Sequence, residues 1–236
     1  PAALNALSVD MMKALADATA RLSHRDDLRV VVVAGAGEHF MAGGDLKDFA
    51  AHLHLSPESR LATFRAMIEQ YINQSVEALQ ALPVPVVAQV RGACAGFGLS
   101  LVLGCDMVVA ADSAYFTTAY ASIALSGDGG VSWFLPRMLG RRKAFEMLLL
   151  ADRFDAGEAL RLGVVNRVVP PAELDAAVAD LVARIVRGPG CAYGEIKRLL
   201  NASPEQSLGA QLQLEAEAFA RCTSRPDFDE GINAFL

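Results

Sequence analysis

A short apolar run followed at once by a glycine-rich segment occurs twice in the first half of the chain. Residues 30–33 precede a segment rich in glycine and alanine, and Val86–Val90 precedes the glycine-rich turn 92–98. Apolar runs of this length predict buried strands, and glycines at their ends predict tight turns or close backbone approach. The second turn leads into an apolar helix at 99–104, and a third strand is expected at 107–110. This repetition predicts an α/β fold.

Helical patterns surround these strands and fill the C-terminal third. Ser8 is the expected N-cap of a helix at 8–22, and apolar residues spaced by three and four predict a long amphipathic helix at 58–82. Residues 46–57 have no clear period. The predicted elements in the second half are a strand at Tyr115–Thr117, a helix at Arg141–Leu150, an Asp155/Glu158 capping box, an extended segment at 164–169, and helices at 171–186, 191–201 and 204–220, the last capped by Ser203. We therefore expect an α/β core at 1–140 and a helical region at 141–236.

Composition and charge restrict the class of protein. The chain has 236 residues, of which 53% are hydrophobic and 20% charged, and a net charge of −6. This composition is globular, and the negative charge argues against a protein that binds nucleic-acid phosphates. The longest uncharged stretches are shorter than the ~20 residues of a membrane-spanning helix. No basic and apolar leader opens the chain, so we expect a cytoplasmic protein.

Cysteine and histidine give little sign of a disulfide framework or a metal site. The four cysteines, at positions 94, 105, 191 and 222, form no C-x-x-C pair, which favours free thiols in a reducing compartment. His52 and His54 are close in sequence, but no third ligand stands at a spacing typical of a metal site. We predict that no metal is bound.

Two glycine-rich loops, 40–46 and 91–99, carry the first functional hypothesis. Small residues leave backbone N–H groups open to a ligand, and two such loops could direct two donors at one oxygen atom as an oxyanion hole. Each loop alone is more often a plain turn.

Other glycine motifs fit poorly. The G-x-G at 35–37 would need a third glycine at position 40 to bind a dinucleotide, but Phe40 stands there. There is no G-K-[ST] phosphate loop, and Ser100 does not lie in a G-x-S-x-G nucleophile motif.

Six segments in order resemble the crotonase superfamily, which comprises enoyl-CoA hydratases and isomerases. They are 5–7, 30–35, 40–46, 90–106, the stretch Leu-Pro-Arg-Met-Leu-Gly at 135–140, and 156–165. The resemblance covers essentially the whole chain. It implies a spiral of ββα units with a C-terminal helical trimerisation region, and an acyl-CoA thioester as substrate with no other cofactor.

The resemblance also implies an oxyanion hole and a pocket for the acyl group. The two N–H donors fall at Ala42 and Phe97, which would polarise the thioester carbonyl and stabilise an enolate. Lys47 is a candidate contact for CoA phosphates, although a solvated lysine is an equal alternative. The expected pocket residues are Met41, Leu46, Ser100 and Tyr120.

The residues for acid–base chemistry favour an isomerase. By the resemblance, hydratases carry glutamates at the positions of Ser100 and Tyr120, and neither residue is a carboxylate here. Asp128, in the loop 126–130, aligns with an aspartate that faces the acyl chain in some isomerases of the superfamily. One carboxylate is enough to move a proton between two carbons, so we expect Asp128 to be the acid and base. The alternatives are that Asp128 caps the helix that begins near residue 131, that the protein is an atypical hydratase, or that it is a non-catalytic binding protein.

The remaining charged residues are expected to be structural, with Asp45 at its turn, Asp106 beside its strand and Arg137 beside Pro136. Apolar residues on the last predicted helix exceed what one buried face needs, and they are Leu208, Leu212, Leu214 and Phe219. We expect a homotrimer or a dimer of trimers.

Overall fold

The computed structural model describes residues 3–236. Its seven strands are β1 Val31–Ala34, β2 Val86–Val90, β3 Ala93–Ala95, β4 Met107–Ala111, β5 Tyr115–Thr117, β6 Phe154–Asp155 and β7 Arg167–Val169. Its twelve α-helices are α1 Val9–Leu22, α2 Leu46–Ala51, α3 Pro57–Met67, α4 Gln74–Ala81, α5 Phe97–Leu103, α6 Val131–Leu139, α7 Arg141–Leu150, α8 Ala156–Arg161, α9 Leu174–Arg187, α10 Gly190–Ala202, α11 Leu208–Thr223 and α12 Pro226–Phe235.

The strands form two sheets that the chain visits in turn. One is parallel, in the order β1-β2-β4-β7, and the other has the order β3-β5-β6. The chain passes from β2 to β3 and then α5, and from β4 to β5 and then α6, so each turn of the fold is a ββα unit. After β1, an isolated parallel bridge joins Met41 to Cys94 of β3, so the first turn of the spiral also reaches the second sheet. This architecture is the ββα spiral that the resemblance implies.

The turn predicted at 92–98 contains a strand that its sequence does not predict. Ala93–Ala95 lacks β-branched residues, yet it pairs in parallel with β5 and is buried. The strand predicted at 30–33 begins one residue later. It lies at the edge of its sheet, and because Val32 is 40% exposed, the strand is only half-buried.

The long helix predicted at 58–82 is present but not uniform. Helices α3 and α4 are joined by a π-helical segment, Ile68–Asn73, so the helical path is continuous from residue 57 to residue 81. The segment 46–57, which has no readable period, contains α2. Its N-cap is Asp45, whose carboxylate accepts a hydrogen bond of 2.8 Å from the Lys47 N–H. Asp45 is therefore a structural residue, as expected.

The division expected at residue 140 falls inside the sheet-forming part of the chain. Strands β6 and β7 pair with β5 and β4, and the apolar core continues through Ala144, Met147, Ala156 and Val164. Helix α9 covers one face of β4 and β7 with Leu174, Ala177 and Val178. The part built only of helices begins at α9.

Two of the predicted caps differ from the structure. Ser203 begins a short 3₁₀ turn, and the N-cap of α11 is Ser207, whose hydroxyl accepts a hydrogen bond from the Ala210 N–H. Asp155 does cap α8, but the Glu158 carboxylate pairs with Arg161 instead of completing a capping box. No helix formed by residues 3–236 is long and apolar enough to cross a membrane.

Candidate active site

Two backbone segments meet at the base of one cavity. The loop 41–45 is held to β3 because the Met41 N–H donates to the Ala93 carbonyl oxygen and the Ala95 N–H donates to the Met41 carbonyl oxygen, at 2.9 and 2.8 Å. Gly43 and Gly96 then approach so closely that a Cβ added at Gly96 would lie 3.2 Å from the Gly43 Cα. Both glycines have positive φ, of 91° and 54°, which favours glycine there.

The N–H group of Ala42 is not available as an oxyanion donor. It donates a hydrogen bond of 3.1 Å to the carbonyl oxygen of Leu4, so the prediction for Ala42 is wrong. The loop forms a parallel bridge in which the Leu7 N–H donates to the Gly43 carbonyl oxygen and the Asp45 N–H donates to the Leu7 carbonyl oxygen. In a parallel bridge, the residue between the two that bond to Leu7, here between Gly43 and Asp45, points its own N–H away from Leu7. That residue is Gly44, whose N–H has no hydrogen-bond acceptor among residues 3–236.

Phe97 supplies the second free amide. It is the first residue of α5, and the N–H groups in the first turn of a helix have no acceptor within the helix. Within the described chain, the Phe97 N–H has no acceptor elsewhere. Phe97 lines the cavity, and its side chain is buried. The Gly44 and Phe97 amides therefore lie on the two segments that meet beside Gly43 and Gly96.

The cavity has a volume of about 200 Å³ and is mainly apolar. Helices α1, α2, α3 and the loop after β5 enclose it, and its side chains include Leu7, Met12, Leu46, Phe49, Phe64 and Met67. Phe49 and Phe64 pack edge to face with their ring centroids 5.2 Å apart. Such a lining suits an apolar acyl group with few polar atoms.

Two of the four predicted pocket residues line the cavity. Leu46 lines it and is 58% exposed, while Tyr120 lines it and is buried. Ser100 is fully buried behind Tyr120, and Met41 supports the base of the site from the first turn of the spiral. Lys47 is exposed in α2, next to Leu46.

Asp128 lies in the cavity and does not cap a helix. Its carboxylate accepts a hydrogen bond of 2.7 Å from the Tyr120 hydroxyl, whereas the N-cap of α6 is Gly130 and has no side-chain bond. The cap interpretation is therefore wrong. Burial raises the pKa of the Asp128 carboxyl above its usual range, and the hydrogen bond from Tyr120 opposes that rise.

The loop that carries Tyr120 and Asp128 has an unusual backbone. Ala119 and Ala124 both have φ of 58°, and Gly127 and Gly129 have φ of 114° and 58°. A Cβ at Gly129 would lie 2.8 Å from two carbons of the Phe97 ring, so this loop packs directly on the first turn of α5. Left-handed residues other than glycine cost free energy and are typical of functional sites.

Other candidate residues have structural roles. His52 and His54 each contact a backbone carbonyl in their own segment, and no metal-ligand cluster occurs among residues 3–236. Arg137 stacks on the Trp133 ring, 4.0 Å from its centroid. The cysteines are free, and burial raises the pKa of the Cys105 thiol to about 12.

Comparison with known proteins gives the family. A sequence model of the enoyl-CoA hydratase/isomerase family matches residues 1–236. A Rhodobacter capsulatus protein named "Probable enoyl-CoA hydratase" is 37% identical over 100% of this chain and 88% of its own, and the 1,2-epoxyphenylacetyl-CoA isomerase of Escherichia coli is 33% identical over 100% and 88%. The crystal structure of an enoyl-CoA hydratase from a Polaromonas species matches with a TM-score of 0.91 at 34% identity, covering 100% of this chain and 90% of that one. This chain is therefore an enzyme of the enoyl-CoA hydratase/isomerase family.

Proposed function

We propose that this enzyme is an enoyl-CoA isomerase in which Asp128 moves a proton between two carbons of the acyl group. The observation that carries the proposal is that Asp128 is the one carboxylate among the described residues that line the cavity. Ser100 and Tyr120 occupy the two positions where the resemblance implies glutamates in hydratases, and they hydrogen-bond to each other at 2.8 Å.

The thioester carbonyl oxygen accepts hydrogen bonds from the Gly44 and Phe97 amides. Both N–H groups lack other acceptors in the described chain, and both belong to backbone that is fixed before substrate binds. Fixed donors stabilise negative charge on the oxygen as it develops, at no cost for reorganisation. This replaces the Ala42 and Phe97 pair expected from the sequence.

The reaction needs one base and no water. The Asp128 carboxylate takes a proton from C2 of a 3-enoyl-CoA, the electron pair of that C–H bond moves into a dienolate, and the thioester oxygen carries the charge. The same carboxyl then gives the proton to C4, the double bond settles between C2 and C3, and the carboxylate is restored. Burial raises the pKa of Asp128, which makes it a stronger base than an exposed aspartate.

The surroundings of the site support an acyl-CoA ligand. The acyl group occupies the apolar cavity of about 200 Å³. Lys47 is exposed and follows Leu46, which lines the cavity, so it is the proposed partner of a CoA phosphate. CoA is part of the substrate, and no further cofactor is proposed. Location in the cytoplasm stays a prediction.

The second candidate is an atypical hydratase, which the name of the Rhodobacter capsulatus relative favours. Hydration needs a group to activate water as well as one to manage the proton, and the cavity supplies a single carboxylate. A non-catalytic binding protein is the third candidate.

Incubation with 3-enoyl-CoA and, separately, with 2-enoyl-CoA plus water distinguishes these functions. An isomerase interconverts the two enoyl esters, a hydratase forms a 3-hydroxyacyl ester from the second, and a binding protein only gains thermal stability. Asp128→Asn should lower isomerase turnover by ~10²–10⁴-fold and change acyl-CoA affinity by only a few-fold. Hydration by the wild type without isomerisation would reject the proposal.

A further inference from the structure

A chain of three hydrogen-bonded side chains ends at Asp128. The Ser100 hydroxyl lies 2.8 Å from the Tyr120 hydroxyl oxygen, and the Tyr120 hydroxyl lies 2.7 Å from Asp128 Oδ1. Ser100 is fully buried and Tyr120 is 6% exposed, so water does not compete for these bonds. The chain runs from the interior of α5 to the wall of the cavity.

The direction of the bonds follows from the number of hydrogens. A carboxylate has none to give, so the single hydroxyl hydrogen of Tyr120 goes to Asp128. Ser100 must then donate to the Tyr120 oxygen. Burial raises the pKa of the Tyr120 hydroxyl, so it keeps its hydrogen throughout the range in which enzymes are assayed.

The two oxygens of the Asp128 carboxylate are therefore not equivalent. Oδ1 is occupied by the Tyr120 hydrogen. In the part of the chain that the structure describes, Oδ2 has no hydrogen-bond partner and is not fully buried, and the residue lines the cavity. Oδ2 is therefore the oxygen that is free to take the substrate proton.

We propose that Tyr120 is a positioning residue that fixes the orientation of the Asp128 carboxyl and reserves Oδ2 for the substrate proton, with Ser100 fixing the Tyr120 hydroxyl in turn. The inference rests on the proposed isomerase function. The proton removed from C2 and the proton delivered to C4 then both pass through Oδ2, so the carboxyl need not rotate between the two steps. The backbone of Tyr120 is held within its own loop, where the Leu125 N–H donates to the Tyr120 carbonyl oxygen at 3.0 Å.

Tyr120→Phe tests this because it removes the hydrogen and keeps the ring. Among the described residues, Tyr120 is the titratable side chain that acts on the Asp128 carboxyl. Loss of its hydrogen bond to the charged form raises the pKa of Asp128, so the acidic limb of kcat/KM should move up by about one to two pH units. KM should stay within a few-fold, because phenylalanine keeps the ring that lines the cavity. Tyr115→Phe, on β5 and outside the cavity, is the matched control and should leave the profile unchanged.

Two further variants distinguish the positioning of Asp128 by Tyr120 from a purely structural role of Tyr120. Tyr120→Phe leaves the buried Ser100 hydroxyl without its close partner, so it also lowers thermal stability. The double variant Tyr120→Phe with Ser100→Ala removes both hydroxyls, so no buried hydroxyl is left without its partner. It should regain thermal stability, while its pH profile stays displaced. Ser100→Ala alone should displace the limb in the same direction by less. Recovery of the wild-type profile in the double variant, or an unmoved limb in Tyr120→Phe, would overturn the proposal.

Titration of the Asp128 carboxyl carbon by ¹³C NMR needs no turnover. The resonance is assigned by its loss in Asp128→Asn, and its midpoint should rise in Tyr120→Phe. If the midpoint rises but wild-type protein fails to isomerise 3-enoyl-CoA, the proposed function fails and the role of Tyr120 in orienting the carboxyl stands. If isomerisation is seen and the midpoint does not move, only the role of Tyr120 fails.

Discussion

Lys197 on α10 and Asp106 at the start of β4 form an ion pair, with Nζ 2.8 Å from Oδ2. Lys197 is 6% exposed and also donates to the carbonyl oxygens of Leu79 and Val84, at 2.9 and 3.3 Å. Asp106 accepts in addition from the Val86 N–H at 2.7 Å. One buried cation thus joins a C-terminal helix to the ends of α4, β2 and β4.

Loss of this cation should cost far more than loss of a surface charge. Lys197→Met leaves two carbonyl oxygens and a carboxylate without their shared donor, and removal of one partner of a buried pair typically costs ~3–5 kcal/mol. Urea unfolding at neutral pH measures the change. Arg198→Met, on the next residue and with its side chain 43% exposed, is the control and should change the midpoint little. Equal effects from the two variants would contradict the role given to Lys197.

Gly129 packs closely on the first turn of α5, which carries the Phe97 amide. A Cβ there would lie 2.8 Å from the Phe97 ring and 2.9 Å from the Ser100 Cβ, so Gly129→Ala must shift either its own loop or that turn. A displacement of about 1 Å at a catalytic group can lower turnover by about 10²-fold. Gly163→Ala has a similarly positive φ of 77° with open space around it, so it should lose only stability. Steady-state kinetics and melting temperatures of both variants separate backbone strain from displacement of the amide.

Phe64 sets one boundary of the acyl cavity. It packs edge to face on Phe49, and both rings line the cavity. Phe64→Ala should enlarge the cavity and raise kcat/KM for long acyl groups relative to short ones by about tenfold, since one methylene in an apolar pocket is worth about 10-fold or more. Leu61→Ala is the control because Leu61 is 67% exposed on the same helix and lies outside the cavity lining. A ratio that is unchanged in Phe64→Ala would place the acyl end elsewhere.

Local sequence patterns predicted the elements whose cause is local. Val86–Val90, Tyr115–Thr117 and Arg141–Leu150 have the predicted bounds, because the strand preference of β-branched and aromatic residues and the apolar period of a helix are properties of a short segment. Strand β3 could not be predicted, since Ala93–Ala95 becomes a strand only by pairing with β5. The sequence predicts the wrong N-cap for α11, because Ser203 and Ser207 both fit a cap and Ser203 instead begins a 3₁₀ turn.

In the candidate active site too, the sequence predicts some features, and others depend on the folded chain. The resemblance to isomerases of the superfamily predicts Asp128 as the acid and base, and this assignment stays a proposal. Its bond to Tyr120 could not be foreseen, because it depends on left-handed residues at Ala119 and Ala124, where alanine gives no signal. The sequence predicts Ala42 as a donor and gives no sign that Gly44 takes its place, because the Ala42 N–H is lost to the Leu4 carbonyl oxygen only in the folded chain.

The C-terminal helices should hold the subunits together. On α11, Leu208, Leu212 and Phe219 are 76%, 53% and 72% exposed, whereas Leu214 is partly covered within the subunit. Apolar surface of this kind on a helix typically packs against another chain. We expect a homotrimer or a dimer of trimers by light scattering at micromolar concentration. Leu208→Glu with Phe219→Glu should lower the mass to that of a monomer, because each places a charge in an apolar contact, whereas Gln213→Glu on the same helix adds a charge and removes no apolar surface. A wild-type mass equal to the monomer would refute the prediction.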